Sequence, residues 1–131
     1  MRFGPLVMAL FLMTCSELVH GQGATDVRPG KPWTTVDGQP IQAHSGGLLK
    51  IGDTWYWIGE NKTLGSDFDA NSCYSSNDLV HWRFVNDTLK VQADGDLGPH
   101  RIVERPKILY NAKTRMYVQY MHIDDPKYQE A

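Results

Sequence analysis

Apolar and polar positions alternate along this chain in short runs, with no sustained helical period and no heptads after the N-terminal segment. Leu48 to Ile51 and Trp55 to Ile58 are dense in β-forming residues and flank Gly52-Asp53-Thr54, which predicts two strands joined by a tight hairpin. Ser72 to Ser76 predicts a third strand, and Trp82 to Val85 a fourth after the turn Asn77-Asp78-Leu79. Val103 to Tyr110 and Met116 to Ile123, around Asn111-Ala-Lys-Thr114, predict a further hairpin. The expected class is all-β.

The first hairpin, His44-Ser-Gly-Gly-Leu-Leu-Lys-Ile-Gly-Asp-Thr-Trp-Tyr-Trp-Ile-Gly-Glu60, recurs in outline as Glu104-Arg-Pro-Lys-Ile-Leu-Tyr-Asn-Ala-Lys-Thr-Arg-Met-Tyr-Val-Gln-Tyr-Met-His122. Each copy runs from a polar residue through an apolar strand, a polar turn and an aromatic-rich strand to an ionisable residue. A repeat of this length suggests propeller blades, units that cannot bury their faces alone and whose equivalent positions point to one axis. The chain would then hold one full blade and the opening hairpin of a second, the front part of something larger. In an antiparallel hairpin the start of one strand lies beside the end of the other, so His44 should neighbour Glu60 and Glu104 should neighbour His122. Those four side chains would line one polar pocket at the mouth of the channel. Pro106 fits an innermost strand, which is a sheet edge. Alternation puts Trp55 and Trp57 on one face, as blade packing, and Tyr56 on the other.

The remaining features set the context. Arg2, the apolar run Leu6 to Met13 and Val19-His20-Gly21 read as a secretory leader over residues 1–21, too short to span a bilayer. Residues 22–40, rich in Gly, Pro, Asp and Thr, read as an extended lead-in that Trp33 pins down, and residues 41–131 as the incomplete propeller. With a formal net charge of −2 and no run of Lys or Arg, a nucleic-acid partner is not expected, and no membrane association is expected either. Cys15 falls in the leader, leaving Cys73 as an unpaired, buried thiol. The sequons Asn61-Lys-Thr63 and Asn86-Asp-Thr88 fit a secreted glycoprotein and are expected on exposed loops. Asp94 and Asp96 lack the ligand spacing of an EF-hand loop, and no zinc spacing, phosphate-binding glycine loop or serine nucleophile motif occurs, so neither metal nor cofactor is expected.

A carboxylate at the channel mouth can bind sugar hydroxyls through charge-assisted hydrogen bonds or do acid/base work, and two carboxylates flanking a bond are what glycoside hydrolysis requires. The alternative is that Glu104 and Arg105 form an ion pair on a blade surface.

Several segments, in order, resemble a known family: Gln42-Ala-His-Ser-Gly-Gly-Leu-Leu-Lys, Trp55-Tyr-Trp-Ile-Gly-Glu-Asn-Lys62, Ser72-Cys-Tyr-Ser-Ser-Asn-Asp-Leu-Val-His-Trp82, Glu104-Arg-Pro-Lys-Ile-Leu-Tyr-Asn111 and Met121-His-Ile-Asp124. They are similar to glycoside hydrolase family 43, secreted five-bladed β-propellers, and within it to the exo-β-1,3-galactanase branch. The resemblance implies an inverting hydrolase that removes terminal galactose from β-1,3-galactan. It matches Glu104 to the acidic residue of the second blade and Glu60 and Tyr128 to positions that contact substrate, and Gln42, His44, Arg105 and His122 are expected to line the same sugar site. Where most members carry an aspartate base, this chain has Gln42, Ala43 and His44, as the galactanase branch does. The family's general acid belongs to a third blade, beyond Ala131. A truncated product that only binds carbohydrate, or one that never folds stably, shares the same sequence and is the alternative reading.

Overall fold

The computed structural model describes residues 25–130. The predicted leader, Cys15, the start of the lead-in and Ala131 lie outside the described residues. Six strands follow the lead-in: β1 (His44–Ile51), β2 (Thr54–Glu60), β3 (Ala70–Ser76), β4 (Arg83–Lys90), β5 (Ile102–Asn111) and β6 (Met116–Asp124). A single 3-10 turn at Gly95–Leu97 interrupts the β4–β5 connection. β1 to β4 form one antiparallel sheet in chain order, and β5 and β6 pair in a second. The fold is all-β, a complete four-stranded blade followed by the opening hairpin of another. Among the described residues no helix is long and apolar enough to cross a membrane.

Local chemistry accounts for the turns. Ile51 pairs with Thr54 across Gly52-Asp53, and Gly52 takes φ +58°, a left-handed conformation that glycine adopts at no steric cost. In the second hairpin Asn111 pairs with Met116, and the Asn111 side-chain oxygen accepts from the amides of Lys113 at 3.0 Å and Thr114 at 3.2 Å. The Asn77-Asp78-Leu79 turn is held the same way. Asp78 Oδ1 accepts from the amides of Val80 at 2.9 Å and His81 at 2.8 Å. The hydrogen bonds from His81 above all hold this carboxyl well below the usual carboxylate range.

Sheet pairing extends the strands beyond their local signals. β4 runs on through Asn86 and Asp87, poor strand formers, because Ala70 pairs with Lys90 and Asn71 with Leu89, and the Ser72 hydroxyl donates to Asp87 Oδ1 at 2.8 Å. This corrects the placement of one sequon. Asn86 lies within an exposed edge strand rather than a loop, and the Thr88 hydroxyl sits 3.1 Å from both the Asn71 carbonyl and Gln119 Oε1. Asn61 does lie in the loop after β2, where its side-chain oxygen accepts from the Thr63 amide at 2.9 Å.

One aromatic cluster of the core lies on one face of the blade, while Ile58 and Cys73 are buried on the other. Trp82 is 1% exposed and packs with Ala43 and Tyr74, with Trp33, Ile41, Trp55, Trp57 and Leu79 gathered around them. Trp57 meets Trp33 and Trp82 edge-on, at ring separations of 5.5 and 5.4 Å, contacts worth about 0.5–1.5 kcal/mol each beyond area burial. The expected sharing of a face by Trp55 and Trp57 holds. Trp33 does pin the lead-in: Thr34 bridges to Pro40, and the Ile41 amide donates to the Trp33 carbonyl at 2.9 Å. Cys73 is buried on β3, and burial pushes its thiol up to about 11.

β5 stacks on the opposite side, against β1 and β2. Lys107 fastens the two blades, its ammonium donating to the carbonyls of Ser45 at 2.7 Å and Gly46 at 3.0 Å.

Candidate functional site

The repeat extends to a detail that positions the site. β1 shifts register between His44 and Gly47, and β5 shifts between Glu104 and Lys107. Ser45 and Arg105, the residues after His44 and Glu104, take φ +49° and +55°. Both inner strands therefore carry the same bulge just after the residue expected at the site, and a bulge bends its strand and re-aims the neighbouring side chains. Pro106 is tolerated at this bulge, where the ladder is interrupted, as well as by the unpaired flank of β5.

Below the bulges the predicted pairing is met: His44 lies opposite Glu60, and Glu104 opposite His122. The two pairs occupy the same end of their hairpins. Glu60, only 3% exposed, reaches across to the second blade, where its Oε1 accepts the Arg105 backbone amide at 2.7 Å. Its Oε2 lies 2.6 Å from the Lys62 ammonium. The same ammonium stands 3.7 Å from Glu104 Oε1, so Lys62 faces both carboxylates. Glu104 Oε1 also accepts the Tyr128 hydroxyl at 3.0 Å, and the Tyr128 ring stacks on His122 with centroids 6.0 Å apart and planes 10° from parallel. Gln42 supports the cluster from the lead-in side, its Oε1 accepting the Lys62 amide at 3.2 Å while its own amide donates to the Tyr74 hydroxyl at 2.9 Å.

Glu60, Glu104, His122 and Tyr128 thus converge, with Gln42 behind them. His44 is in register with Glu60 but exposed, on the rim of an open groove of about 430 Å³ shared with Gln42, Ser45, Trp33 and Trp57. Arg105 contributes its backbone amide, while its side chain is exposed. The Glu104–Arg105 surface ion pair is replaced by the contacts of Glu104 with Lys62 and Tyr128.

Two contributors escaped the sequence reading. Lys62 follows Glu60 by two residues, a spacing that puts both on one side of an extended chain and was its only signal. Asp124 follows His122 in the same way. It is 2% exposed, its Oδ2 stands 3.5 Å from His122 Nε2, and its Oδ1 accepts the amides of Asp125 at 2.7 Å and Glu130 at 2.9 Å. Asp124 thereby anchors the segment that carries Tyr128.

The electrostatics follow from these contacts. Burial works against the Lys62 charge, but the hydrogen bond and attraction of Glu60, with Glu104 and Tyr128 behind them, outweigh it and hold the ammonium above the ordinary lysine value. The hydrogen bond to Glu104, with burial adding to it, raises the Tyr128 phenol. Backbone amides, that of Glu130 first, keep the Asp124 carboxyl below its usual range. Asp96, in the acidic loop, stands 3.8 Å from the Arg101 guanidinium.

A full blade, the opening hairpin of the next and a polar cluster where their inner strands begin define a β-propeller architecture with its candidate site at the start of the inner strands. The comparisons name the propeller. No protein-family model matches the chain and no curated protein matches it. Among solved structures, it is similar to an exo-β-1,3-galactanase from Phanerochaete chrysosporium, solved with galactose, at 43% identity and a TM-score of 0.76 over 78% of this chain and 24% of that one. An exo-β-1,3-galactanase from Clostridium thermocellum matches at 39% identity and a TM-score of 0.68, over 74% of this chain and 21% of that one. A family 43 β-1,3-galactosidase solved with galactodeoxynojirimycin matches at 37% identity and a TM-score of 0.68, over 76% and 30%. The resemblance to the exo-β-1,3-galactanase branch of glycoside hydrolase family 43 is thus borne out, and the chain spans about a quarter of the length of these galactanase-type structures.

Proposed function

We propose that the chain supplies the first blade and the start of the second of a secreted glycoside hydrolase that releases galactose from the end of β-1,3-galactan, with inversion. The observation that carries this reading is the convergence of Glu104, Glu60, Lys62, His122 and Tyr128 where two repeat hairpins open onto one axis. An ionised carboxylate at such a place accepts sugar hydroxyls through charge-assisted hydrogen bonds, stronger than neutral ones. One Glu104 oxygen is committed to Tyr128 and faces Lys62, so its other oxygen is the one offered to substrate. In this reading Glu104 orients the terminal sugar and sets the charge around it. His122 and Tyr128 form a stacked wall beside it, and Gln42, His44 and Arg105 line the rim.

The general acid that protonates the leaving oxygen is assigned to none of the described residues; the family resemblance puts it in a third blade. Secretion rests on the predicted leader, and N-glycans at Asn61 or Asn86 belong to the same reading. Glu60 has both oxygens engaged within the protein, which favours as a second reading a half-pocket that holds galactose without cleaving it.

The deciding experiment measures galactose release from β-1,3-galactan by the 131-residue chain and by a form extended through further blades. Release by the extended form, lost by at least about 100-fold in Glu104→Gln with the fold intact, supports the hydrolase and the place of Glu104 in it. Binding of galactose without release by either form supports the half-pocket. Neither release nor binding overturns both readings.

A further inference from the structure

We propose that Lys62 is the positioning residue of this pocket, a cation that lets two carboxylates from different blades share one sugar site. Two like charges brought to one place without a counter-charge repel, and one of them then takes up a proton. A protonated Glu104 would lose its strength as a hydrogen-bond acceptor for sugar hydroxyls. Lys62 stands between the pair, 2.6 Å from Glu60 and 3.7 Å from Glu104, with its side chain 27% exposed.

The surroundings fix this cation in place. Its backbone amide is held by Gln42, and Glu60 is itself tied to the Arg105 amide of the second blade. Lys62 is thereby braced by Gln42 ahead of β1 and from both hairpins, and a long flexible side chain acquires one position. The titratable groups acting on it are Glu60, Glu104 and Tyr128, and Arg105 lies near enough to act on Tyr128. The role belongs to the same site as the proposed hydrolase and rests on that reading for its meaning, but its electrostatic core can be tested without sugar.

Two measurements on the full chain test it. In the first, the Lys62 side chain is titrated by NMR in wild type, Glu60→Gln and Glu104→Gln. The midpoint should fall in both variants, and an unchanged midpoint in either overturns the shared-cation role. In the second, affinity for β-1,3-galactobiose is compared in wild type, Lys62→Met and Lys62→Arg, with circular dichroism confirming each fold. Lys62→Met should bind at least about tenfold more weakly, with most of the loss restored by Lys62→Arg. A folded Lys62→Met that binds as wild type does overturns the proposal. If neither the wild-type chain nor its form extended through further blades binds the disaccharide, the sugar-site reading fails, and the titration still decides whether Lys62 holds the carboxylates together.

Discussion

Gly59→Ala is the sharpest test of how the first blade is built. A Cβ added at Gly59 would sit 2.2 Å from the Ala43 carbonyl carbon, 2.3 Å from its oxygen and 2.5 Å from its Cα. Carbon atoms in contact want about 3.5–4.0 Å, so the chain at Ala43 must retreat by more than about 1 Å. Nothing flexible absorbs that movement, since all three atoms are backbone and Ala43 is 3% exposed in the cluster with Tyr74 and Trp82. The retreat would stretch the Gln42–Tyr74 and Gln42–Lys62 hydrogen bonds, worth about 1 kcal/mol each, on top of about 1–3 kcal/mol for overpacking. A loss of about 3–5 kcal/mol lowers the urea midpoint by roughly 2 M at a mid-range m-value of about 2 kcal/mol/M. Gly47→Ala is the control, because its Cβ would meet first the Lys107 Cδ at 3.2 Å, part of a side chain that can give. Equilibrium unfolding followed by tryptophan fluorescence measures both. A Gly59→Ala midpoint within about 0.5 M of wild type would refute the close approach of β2 to Ala43, and with it the bracing of the site.

Two further outcomes follow from buried groups. Cys73 has its thiol pushed up to about 11, so it should resist a thiol reagent at neutral pH in the folded chain and react fully in urea; rapid labelling of the native protein would contradict its burial. The fold keeps the proton on Cys73, so its effect is absent below the unfolded value of 9.0, and stability falls as pH rises from there toward 11, where the unfolded chain ionises first. Asp124 is depressed by backbone amides in the fold. Its stabilisation is present above the unfolded value of 3.8 and is lost as pH falls through the lower folded one, so Asp124→Asn should flatten the acid limb of a stability profile. An acid limb identical to that of wild type would mean that Asp124 does not hold the Tyr128 segment.

The hairpins, their antiparallel register and the opposition of His44 to Glu60 and of Glu104 to His122 were legible in the sequence, because each rests on local signals. β-forming runs, a Gly-Asp turn and a repeated order of polar and apolar residues act over a few neighbours, and antiparallel geometry then determines who faces whom. The aromatic triplet and Trp33 were legible for the same reason, since alternation assigns faces without knowledge of the partner sheet. What only the tertiary structure decided involves contacts between residues far apart in the chain. The extension of β4 through Asn86 and Asp87 depends on pairing with β3, which overrides weak strand propensity and moves a sequon from loop to strand. The paired bulges are invisible in the sequence because Ser45 and Arg105 share no chemistry, only a backbone conformation imposed by stacked hairpins. Lys62 carries no sequence signal beyond its spacing from Glu60. It became the centre of the site because Glu60 crosses to the Arg105 amide and brings Glu104 near the same ammonium, and Coulomb attraction in a partly buried space makes that meeting matter.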